Sequence, residues 1–199
     1  AQAVAACAFG TGQVPRCDKI VGPGNRYVTA AKQLVYGATG IDLPAGPSEL
    51  LVLADGDAPA ERIALEIMAQ AEHDPDAVTV LITPDRSLAE RVNSQLENRV
   101  PTLPTRDIIR RSLDTNGIFL VVDDLDACVS AANAMGPEHL SLMVNDPDRT
   151  APALTCFGTL FIGELSAVAL GDYVAGVNHV LPTAGTARFT GGLSVMDFV

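Results

Sequence analysis

The succession of apolar and polar positions along the chain predicts alternating strands and helices. Mostly apolar runs of strand length occur at 49–54, 78–83, 117–123 and 139–144. A further strand is expected within 154–163. Between these runs, apolar residues recur with helical spacing at 59–73, 87–100 and 125–135. Strands that are apolar throughout and separated by helices are typical of a mostly parallel sheet covered by helices on both faces, so the predicted fold class is α/β.

The first quarter of the chain has a different pattern. We expect an alanine-rich helix at 2–9, a short strand at 18–21, a turn at 22–25 and a helix at 27–35. Residues 41–48 then form an extended segment with two prolines and a glycine, a candidate crossing between domains. The chain is therefore expected to contain part of a smaller α/β domain at 1–47 and a main α/β domain at 48–199, built from incomplete Rossmann-like units.

Composition narrows the classes of function. The chain has 13 basic and 24 acidic residues and a net charge of -11, which argues against binding the phosphate backbone of a nucleic acid. Its four cysteines are widely spread without a Cys-x-x-Cys pair, so a disulfide framework or thiolate zinc site is not indicated and a reducing cytoplasm fits best. The sequence has no apolar stretch of membrane-spanning length, and its opening lacks the basic leader of a secretion signal.

The first candidate for chemistry is Gln70-Ala-Glu-His73, at the end of a predicted helix. The chain has only three histidines, and imidazole is well suited to proton transfer near neutral pH and to metal binding. Because Gln70 and His73 are three residues apart, we expect them on one helix face, where both can offer a lone pair to a cation or bind a substrate. An ordinary polar helix end, where a histidine favours the helix dipole, explains the same residues.

The second candidate is Glu138-His139, which follows Gly136-Pro137 and enters a predicted strand. The carboxylate can activate a water while the imidazole accepts a hydroxyl proton. Ligands of parallel sheets gather at the carboxyl ends of strands, so a histidine at the first residue of a strand suits that rule only when the preceding loop folds over the site. The alternative is a structural turn whose histidine caps a carbonyl group.

A third polar cluster lies in the predicted loop 164–183, which contains Asp172, Asn178 and His179. The Asp172 carboxylate can complete an N/O ligand set with the amide and imidazole of the first candidate, and such a set suits zinc or a similar divalent ion. Turn chemistry is the alternative, because aspartate and asparagine stabilise loops by bonding their own backbone. His179 is the least persuasive of the three histidines and is explained equally well as a loop anchor.

Two other motifs are weaker. The turn Gly22-Pro-Gly24-Asn25 lies between a strand and a helix, where backbone amides can meet a phosphate, but it is not a G-x-G-x-x-G fingerprint. Ser48 lies in a turn similar to that of a nucleophilic serine, yet it lacks the second glycine of G-x-S-x-G. These residues alone therefore give little support for a dinucleotide-binding site or for a serine hydrolase.

Together, these segments resemble the histidinol dehydrogenase family in their order and spacing. They are Asp18-Lys-Ile-Val-Gly-Pro-Gly-Asn25, Asp42-Leu-Pro-Ala-Gly-Pro-Ser48-Glu49, Gln70-Ala-Glu-His73, Gly136-Pro-Glu-His-Leu140, and Gly171-Asp-Tyr173 with Asn178-His-Val-Leu-Pro-Thr183. Each motif is modest alone, but the resemblance covers essentially all 199 residues. It implies oxidation of L-histidinol to L-histidine through an aldehyde, with NAD and one bound zinc, in a homodimer.

The resemblance implies a metal and substrate site. Gln70, His73 and Asp172 resemble three zinc ligands, and the same residues with Ser48 and His139 resemble the substrate contacts. Zinc would hold the amino and imidazole groups of the substrate and act as a Lewis acid. We therefore expect groups that are distant in the chain to meet around one space of the size of a cation.

The resemblance also implies an acid–base pair. His139 would take the alcohol proton as hydride leaves for NAD, and Glu138 would later activate the water that attacks the aldehyde. Gln2 and Asn25 resemble nucleotide contacts, which places the smaller domain on the cofactor side and the zinc and acid–base residues in the main domain. The implied enzyme type is an NAD-dependent zinc alcohol dehydrogenase.

Length is where the chain departs from the family, whose members are about twice as long. We expect both ends of the family's sequence to be missing, including an upstream tyrosine at the cofactor site and a downstream Glu and zinc-binding His. The catalytic constellation is then present but incomplete. Two alternatives stay open: a related zinc and NAD alcohol dehydrogenase acting on a sulfonated diol, and a non-catalytic scaffold fragment. A metallohydrolase is a weaker third, because the metal motif contains no water-activating Glu.

Overall fold

The computed structural model describes residues 1–173 and 175–199, and its first elements form a small unit. Helix α1 (Gln2–Phe9) packs against α2 (Arg26–Val35), and strands β1 (Lys19–Ile20) and β2 (Gly40–Ile41) pair in parallel. An apolar cluster centred on Val4, Ala8 and Val35 holds the unit together. The sequence pattern does not predict β2, because two residues are too few to show a periodicity.

The rest of the chain builds a parallel sheet with helices on both faces. Its strands are β3 (Glu49–Ala54), β4 (Val78–Thr83), β5 (Gly117–Val121), β6 (His139–Met143) and β7 (Thr159–Ile162). The helices are α3 (Ala60–Ala71), α4 (Arg86–Arg99), α5 (Arg106–Asn116), α6 (Leu125–Met135) and the short α7 (Pro147–Thr150). The predicted α/β class with a parallel, helix-covered sheet is confirmed.

The five strands lie in the order β5-β4-β3-β6-β7. After β3, the chain adds β4 and then β5 on one side of the sheet. It then returns to the centre, where β6 pairs with the other side of β3, and β7 is added beyond β6. This is the strand order of a doubly wound dinucleotide-binding sheet, with its switch point between β3 and β6. Leu50 pairs with His139 across these two strands, so both strands begin at the same edge of the sheet.

Strand β3 is buried along its whole length, and its alternate residues serve two cores. Leu50 and Val52 pack in the cluster with the apolar faces of α3, α4 and α5. Leu51 and Leu53 face the opposite cluster, which includes residues of α6. Complete burial of such a side chain contributes about 1.5–3 kcal/mol, so the two faces together fix the register of the central strand.

Two helices differ from the sequence-based expectation. Helix α5 is not predicted, because its solvent face is rich in charge and only Ile109 and Ser112 are buried. Helix α3 ends at Ala71, two residues before the predicted end at 73, so His73 lies beyond the helix and its placement on one face with Gln70 stays a prediction. His73 lies in a turn past the helix end, where its N–H donates to the Gln70 carbonyl oxygen at 3.2 Å.

The last part of the chain returns along the sheet from β7. The 3-10 helix Val168–Asp172 is followed by a segment that reaches the amino-terminal edge, where Gly46 N–H donates to Thr183 Oγ1 at 2.6 Å. The final 3-10 helix, Val195–Phe198, meets the first unit through a 3.0 Å Lys19–Asp197 ion pair. The division at 47/48 stays a prediction. In the described part of the chain, no helix has the length and apolar character needed to cross a membrane.

Candidate active site

The candidate acid–base residues lie at the amino-terminal edge of the sheet, at its switch point. Glu138 directly precedes β6 and His139 is its first residue. Ser48 and Glu49 stand beside them at the start of the neighbouring β3. Gly136, with a φ of 59°, ends α6 in the left-handed conformation that favours glycine, and this turns the chain into Pro137 and the site.

The opposite, carboxyl-terminal edge of the same two strands is the usual ligand crevice of a doubly wound sheet. Here a polar turn after β6 is hydrogen-bonded to the residues that follow β3. Asn145 N–H donates to Asp55 Oδ2 at 2.6 Å, and Asn145 Nδ2 donates to Asp57 Oδ2 at 2.7 Å. These carboxylates take part in local hydrogen bonds, whereas the candidate acid–base residues lie at the amino-terminal edge.

The imidazole of His139 is held in one tautomer by its neighbour in β3. Its Nδ1 lies 3.2 Å from the carbonyl oxygen of Glu49. Because a carbonyl oxygen can only accept, Nδ1 carries the hydrogen and Nε2 keeps a free lone pair. Burial lowers the pKa of His139, an effect that the Glu49 hydrogen bond and the charge of Asp172 oppose. A neutral imidazole with a free Nε2 can act as a base near neutral pH.

The carboxyl group of Glu138 is buried and fixed by the same strand. Glu49 N–H donates to Glu138 Oε2 at 3.0 Å, and His139 Nδ1 lies 3.6 Å from that oxygen. Burial raises the pKa of Glu138 to about 7; the Glu49 N–H and the Ser48 hydroxyl oppose the rise, and the Glu49 charge adds to it. A carboxyl group with this pKa can accept and release a proton near neutral pH.

Two of the three predicted metal-binding residues, Asp172 and His73, lie close enough to His139 to influence its pKa. His139 experiences the charges of Asp172, His179 and His73, in that order of strength. A second link is steric, because a Cβ on Gly171 would come within 3.1 Å of the Phe161 ring. That ring in turn lies with its centroid 6.1 Å from the His139 imidazole. The loop that carries Asp172 is thereby positioned beside the imidazole.

A further contact places this loop beside α3. Val168 N–H donates to Glu66 Oε2 at 3.2 Å, one helical turn before Gln70. The Gln70 Nε2 atom is buried and has no hydrogen-bond partner among the described residues. Such an atom is costly to bury unpaired, so it indicates a group that the protein alone does not supply. The oxygen and nitrogen of a side-chain amide are told apart only by their hydrogen-bond partners. The Gln70 amide can therefore be rotated so that its oxygen occupies this position and offers a lone pair.

A zinc ion fits the donor chemistry of these residues. Gln70, His73 and Asp172 offer an amide oxygen, an imidazole nitrogen and a carboxylate oxygen, which are borderline and hard donors of the kind zinc accepts. Asp172 Oδ1 already lies 2.8 Å from His179 Nδ1, so one carboxylate oxygen stays available. Within residues 1–173 and 175–199, no three His, Cys, Asp or Glu side chains lie close enough together to hold one metal ion. The candidate set is of a different kind, because its third member, Gln70, is an amide.

The two predicted nucleotide contacts lie in the first unit. Gln2 is exposed in the first turn of α1. Asn25 is exposed as well and caps α2, its Oδ1 accepting hydrogen bonds from the N–H groups of Tyr27 and Val28 at 3.1 and 3.2 Å. Only its amide nitrogen is therefore left for a ligand. No hydrogen bond in the described structure joins either residue to the acid–base pair, and two exposed amides do not by themselves form a nucleotide site.

Sequence reasoning did not assign a role to Glu49, which contacts both members of the acid–base pair through its backbone. A signal was present in the sequence, because Glu49 is a charged residue at the start of an otherwise apolar strand. Such a residue is seldom fully buried unless it is paired, and Glu49 is 8% exposed.

Comparison with known proteins agrees with this arrangement of motifs. The sequence model of the family described as histidinol dehydrogenase matches residues 1–199. The histidinol dehydrogenase of Thermus thermophilus is 52% identical over 199 residues, which are 100% of this chain and 48% of that protein. The crystal structure of histidinol dehydrogenase from Elizabethkingia anophelis superposes with a TM-score of 0.93 at 40% identity, covering 97% of this chain and 45% of that one.

A more distant structure shares the fold alone. An acetylating aldehyde dehydrogenase from Geobacillus thermoglucosidasius matches with a TM-score of 0.58 at 13% identity, over 90% of this chain and 54% of that one. The expected enzyme type, an NAD-dependent zinc alcohol dehydrogenase, is wrong, because the family match and the similar relatives are histidinol dehydrogenases, a different type of enzyme. The chain spans about half the length of the relatives that it matches, and it belongs to the histidinol dehydrogenase family.

Proposed function

We propose that this chain carries the catalytic centre of an enzyme of histidine biosynthesis that oxidises L-histidinol to L-histidine through histidinal, with NAD as oxidant. One observation carries the proposal. The His139 Nδ1–Glu49 carbonyl contact, at 3.2 Å, leaves Nε2 as a free base next to a buried carboxyl group. The family membership supports L-histidinol as the alcohol whose proton this base would take.

In the first oxidation, His139 acts on the substrate hydroxyl group. Its Nε2 accepts the hydroxyl proton as the carbon loses hydride to the oxidant, and an aldehyde forms. The Nδ1–H bond to Glu49 keeps the ring in the basic tautomer before transfer and stabilises the imidazolium after it. The His139 side chain is only 13% exposed, which limits the access of water to the ring.

In the second oxidation, Glu138 acts on water. Its carboxylate accepts a proton as the water oxygen bonds to the aldehyde carbon, and the hydrate anion that results loses hydride to a second oxidant molecule to give the acid. A pKa of about 7 suits this task, because the group is partly ionised at neutral pH and still basic enough to take a proton. Ser48, beside this carboxyl group, is proposed as a substrate contact.

Gln70, His73 and Asp172 are proposed to hold a zinc ion, and these residues together with Ser48 and His139 are the proposed substrate contacts. When bound, zinc supplies Lewis acidity that makes the substrate hydroxyl group easier to deprotonate. Gln70 lies in the last turn of α3, and its buried, unpartnered side-chain amide supports its assignment to the ligand set.

NAD is proposed as the oxidant from the family, with Gln2 and Asn25 as contacts to the nucleotide. Since these two exposed amides do not form a closed site, no proton or hydride step is derived from them. A homodimer in the cytoplasm is likewise proposed for the whole protein. The net charge of -11 supports a small-molecule ligand over a nucleic acid.

The test is to incubate the chain with L-histidinol, zinc and NAD and to follow NADH, histidinal and histidine. We expect His139→Asn to slow NADH formation about 10²–10⁴-fold, the usual contribution of a general base. Glu138→Gln should release histidinal, because only the second step needs its carboxylate. Glu90→Gln, on the exposed face of α4, is the matched control and should behave like the unsubstituted chain.

The outcomes against the proposal are equally definite. Absence of NADH formation by the unsubstituted chain would contradict the proposal for this chain. So would a His139→Asn variant of unchanged rate, or a Glu138→Gln variant that forms histidine without releasing aldehyde.

A further inference from the structure

The side chain of Glu49 makes a contact that the proposed reaction does not use. Its Oε1 accepts a hydrogen bond from Ala184 N–H at 2.9 Å, across 135 positions of sequence. Ala184 lies in the segment 181–185, which returns to the amino-terminal edge of the sheet. The Glu49 backbone meanwhile holds Glu138 Oε2 at 3.0 Å and His139 Nδ1 at 3.2 Å. One residue thus contacts the acid–base pair on one side and a distant loop on the other.

The 181–185 segment needs such an anchor. Ala184 has a φ of 53°, the only positive φ of a non-glycine residue in the described structure, and Gly185 follows with a φ of 72°. An alanine in this conformation persists only when its surroundings hold it there. Two contacts with β3 and the segment just before it do so, the Glu49–Ala184 bond and the 2.6 Å bond from Gly46 N–H to Thr183 Oγ1.

The same segment lies against the backbone of the acid–base pair. Leu181 and Thr183 are buried, with exposures of 5% and 2%. A Cβ on Gly158 would lie 3.2 Å from the Leu181 Cβ and 2.4 Å from the Glu138 carbonyl oxygen, so Leu181 and the Glu138 backbone approach the same face of Gly158. Glu138 is itself 8% exposed, and burial is the main cause of its raised pKa.

We propose that Glu49 is a positioning residue, whose carboxyl group holds the 181–185 segment closed over Glu138 and His139 and so keeps this pair out of water. It acts through its neighbours and does not touch the substrate. The inference depends on the proposed function only for the roles of Glu138 and His139. The second carboxyl oxygen, Oε2, is buried without a partner among the described residues, and burial raises the pKa of Glu49, so the side chain is retained at a cost in stability.

The first experiment needs no turnover. Glu49→Ala removes the acceptor for Ala184 N–H, and hydrogen exchange at that amide is expected to become about tenfold faster. As water reaches the pair, the Glu138 carboxyl group, followed by 13C NMR, should titrate well below pH 7. Glu49→Gln keeps an acceptor oxygen of the same shape and should restore the slow exchange, although it removes the neighbouring charge.

The matched control is Ser112→Ala. It removes one buried hydrogen bond, from Ser112 Oγ to the Ala77 carbonyl oxygen at 2.9 Å, on the α5 side of the sheet. It should leave both the Ala184 exchange and the Glu138 titration unchanged. If Glu49→Ala does not fold, Thr183→Val makes the same test, because it has nearly the same shape and removes only the Gly46 contact.

Two results would overturn the inference: unchanged Ala184 exchange in Glu49→Ala, or an equal change in Ser112→Ala. Where the chain turns over histidinol, Glu49→Ala should also lower kcat and shift the acidic limb of its pH profile, with rescue by Glu49→Gln. If the unsubstituted chain is inactive, the proposed function fails while the exchange and titration measurements still decide the role of Glu49.

Discussion

His179 Nδ1 lies 2.8 Å from Asp172 Oδ1. The two residues are seven positions apart, and sequence reasoning gave the first only a structural role as a loop anchor. Their side chains are 63% and 47% exposed, so the contact adds little to folding stability. The contact instead orients the Asp172 side chain, because it fixes one oxygen of a carboxylate that we propose as a metal ligand.

We therefore expect His179→Ala to weaken zinc binding by about tenfold, the usual effect of removing a partner that orients a ligand. Competition with a chromophoric chelator measures the affinity. Arg62→Ala, which breaks the equally exposed 3.8 Å pair with Glu164, is the control and should bind zinc like the unsubstituted chain. Equal affinities for all three proteins would remove His179 from the metal site.

Glu138 should make stability fall as the pH rises. Its pKa is about 7 in the folded protein, above the ordinary value of 4.5, so the folded state binds the proton more tightly. The resulting stabilisation is complete below pH 4.5 and is lost as the pH rises through about 7, with a full size on the order of 3 kcal/mol.

Glu138→Gln removes this pH dependence. Urea unfolding at pH 5 and at pH 8 should show the variant gaining stability relative to the unsubstituted chain at the higher pH. The lowered pKa of His139 acts in the opposite sense at acidic pH, but it is present in both proteins and largely cancels. A constant difference between the two proteins at both pH values would show that Glu138 titrates normally.

Gly158 is expected to tolerate no side chain. A Cβ there would lie 2.4 Å from the carbonyl oxygen of Glu138, and neither strand can easily move away because Gly158 N–H also bonds the Pro137 carbonyl oxygen at 2.9 Å. Gly158→Ala should lower the free energy of unfolding by about 1–3 kcal/mol and shift the NMR signals of Glu138.

The control for this substitution is Gly191→Ala, since a Cβ at Gly191 meets no described atom within 4 Å. Thermal unfolding should separate the two variants clearly. Comparable melting temperatures would mean that the β6–β7 junction yields to the added methyl group.

A buried ion pair joins helix α2 to the residue that follows β2 in the first unit. Lys32 Nζ contacts Asp42 Oδ1, with side-chain exposures of 3% and 1%. Lys32 also donates to the Gly22 carbonyl oxygen at 3.0 Å, while Gly22 N–H donates to Asp42 Oδ2 at 2.6 Å. The pair thereby fixes the Gly22–Asn25 turn, which carries one of the proposed nucleotide contacts.

Lys32→Met should destabilise the first unit by roughly 3–5 kcal/mol, because it leaves the Asp42 carboxylate buried without a partner. The double variant Lys32→Met, Asp42→Asn should regain part of that loss, since no unpaired charge is then buried. Chemical denaturation measures both, with the exposed Arg62→Met as control. A single variant as stable as the control would show that Asp42 reaches water.

The sequence predicted best those strands and helices whose bounds depend only on residues within the element or next to it. Strands β3 and β4 have the predicted bounds, since an uninterrupted apolar run must be buried on both faces. Helix α6 likewise has its predicted bounds, Leu125 to Met135, and the structure shows Asp124 capping its start and Gly136 ending it. Helix α5 escaped prediction because its burial depends on α3 and β4, which pack against it.

The sequence by itself determined the fold class and the motifs that identify the family, because the burial of a strand and the spacing within a motif depend on residues close together in the chain. Only the tertiary structure decided where those motifs meet. Glu49, Glu138 and Ala184 come together at the amino-terminal edge of the sheet, and His179 comes to Asp172, through strand pairing and a returning loop. Such contacts depend on the register and path of the whole chain, which no local spacing encodes.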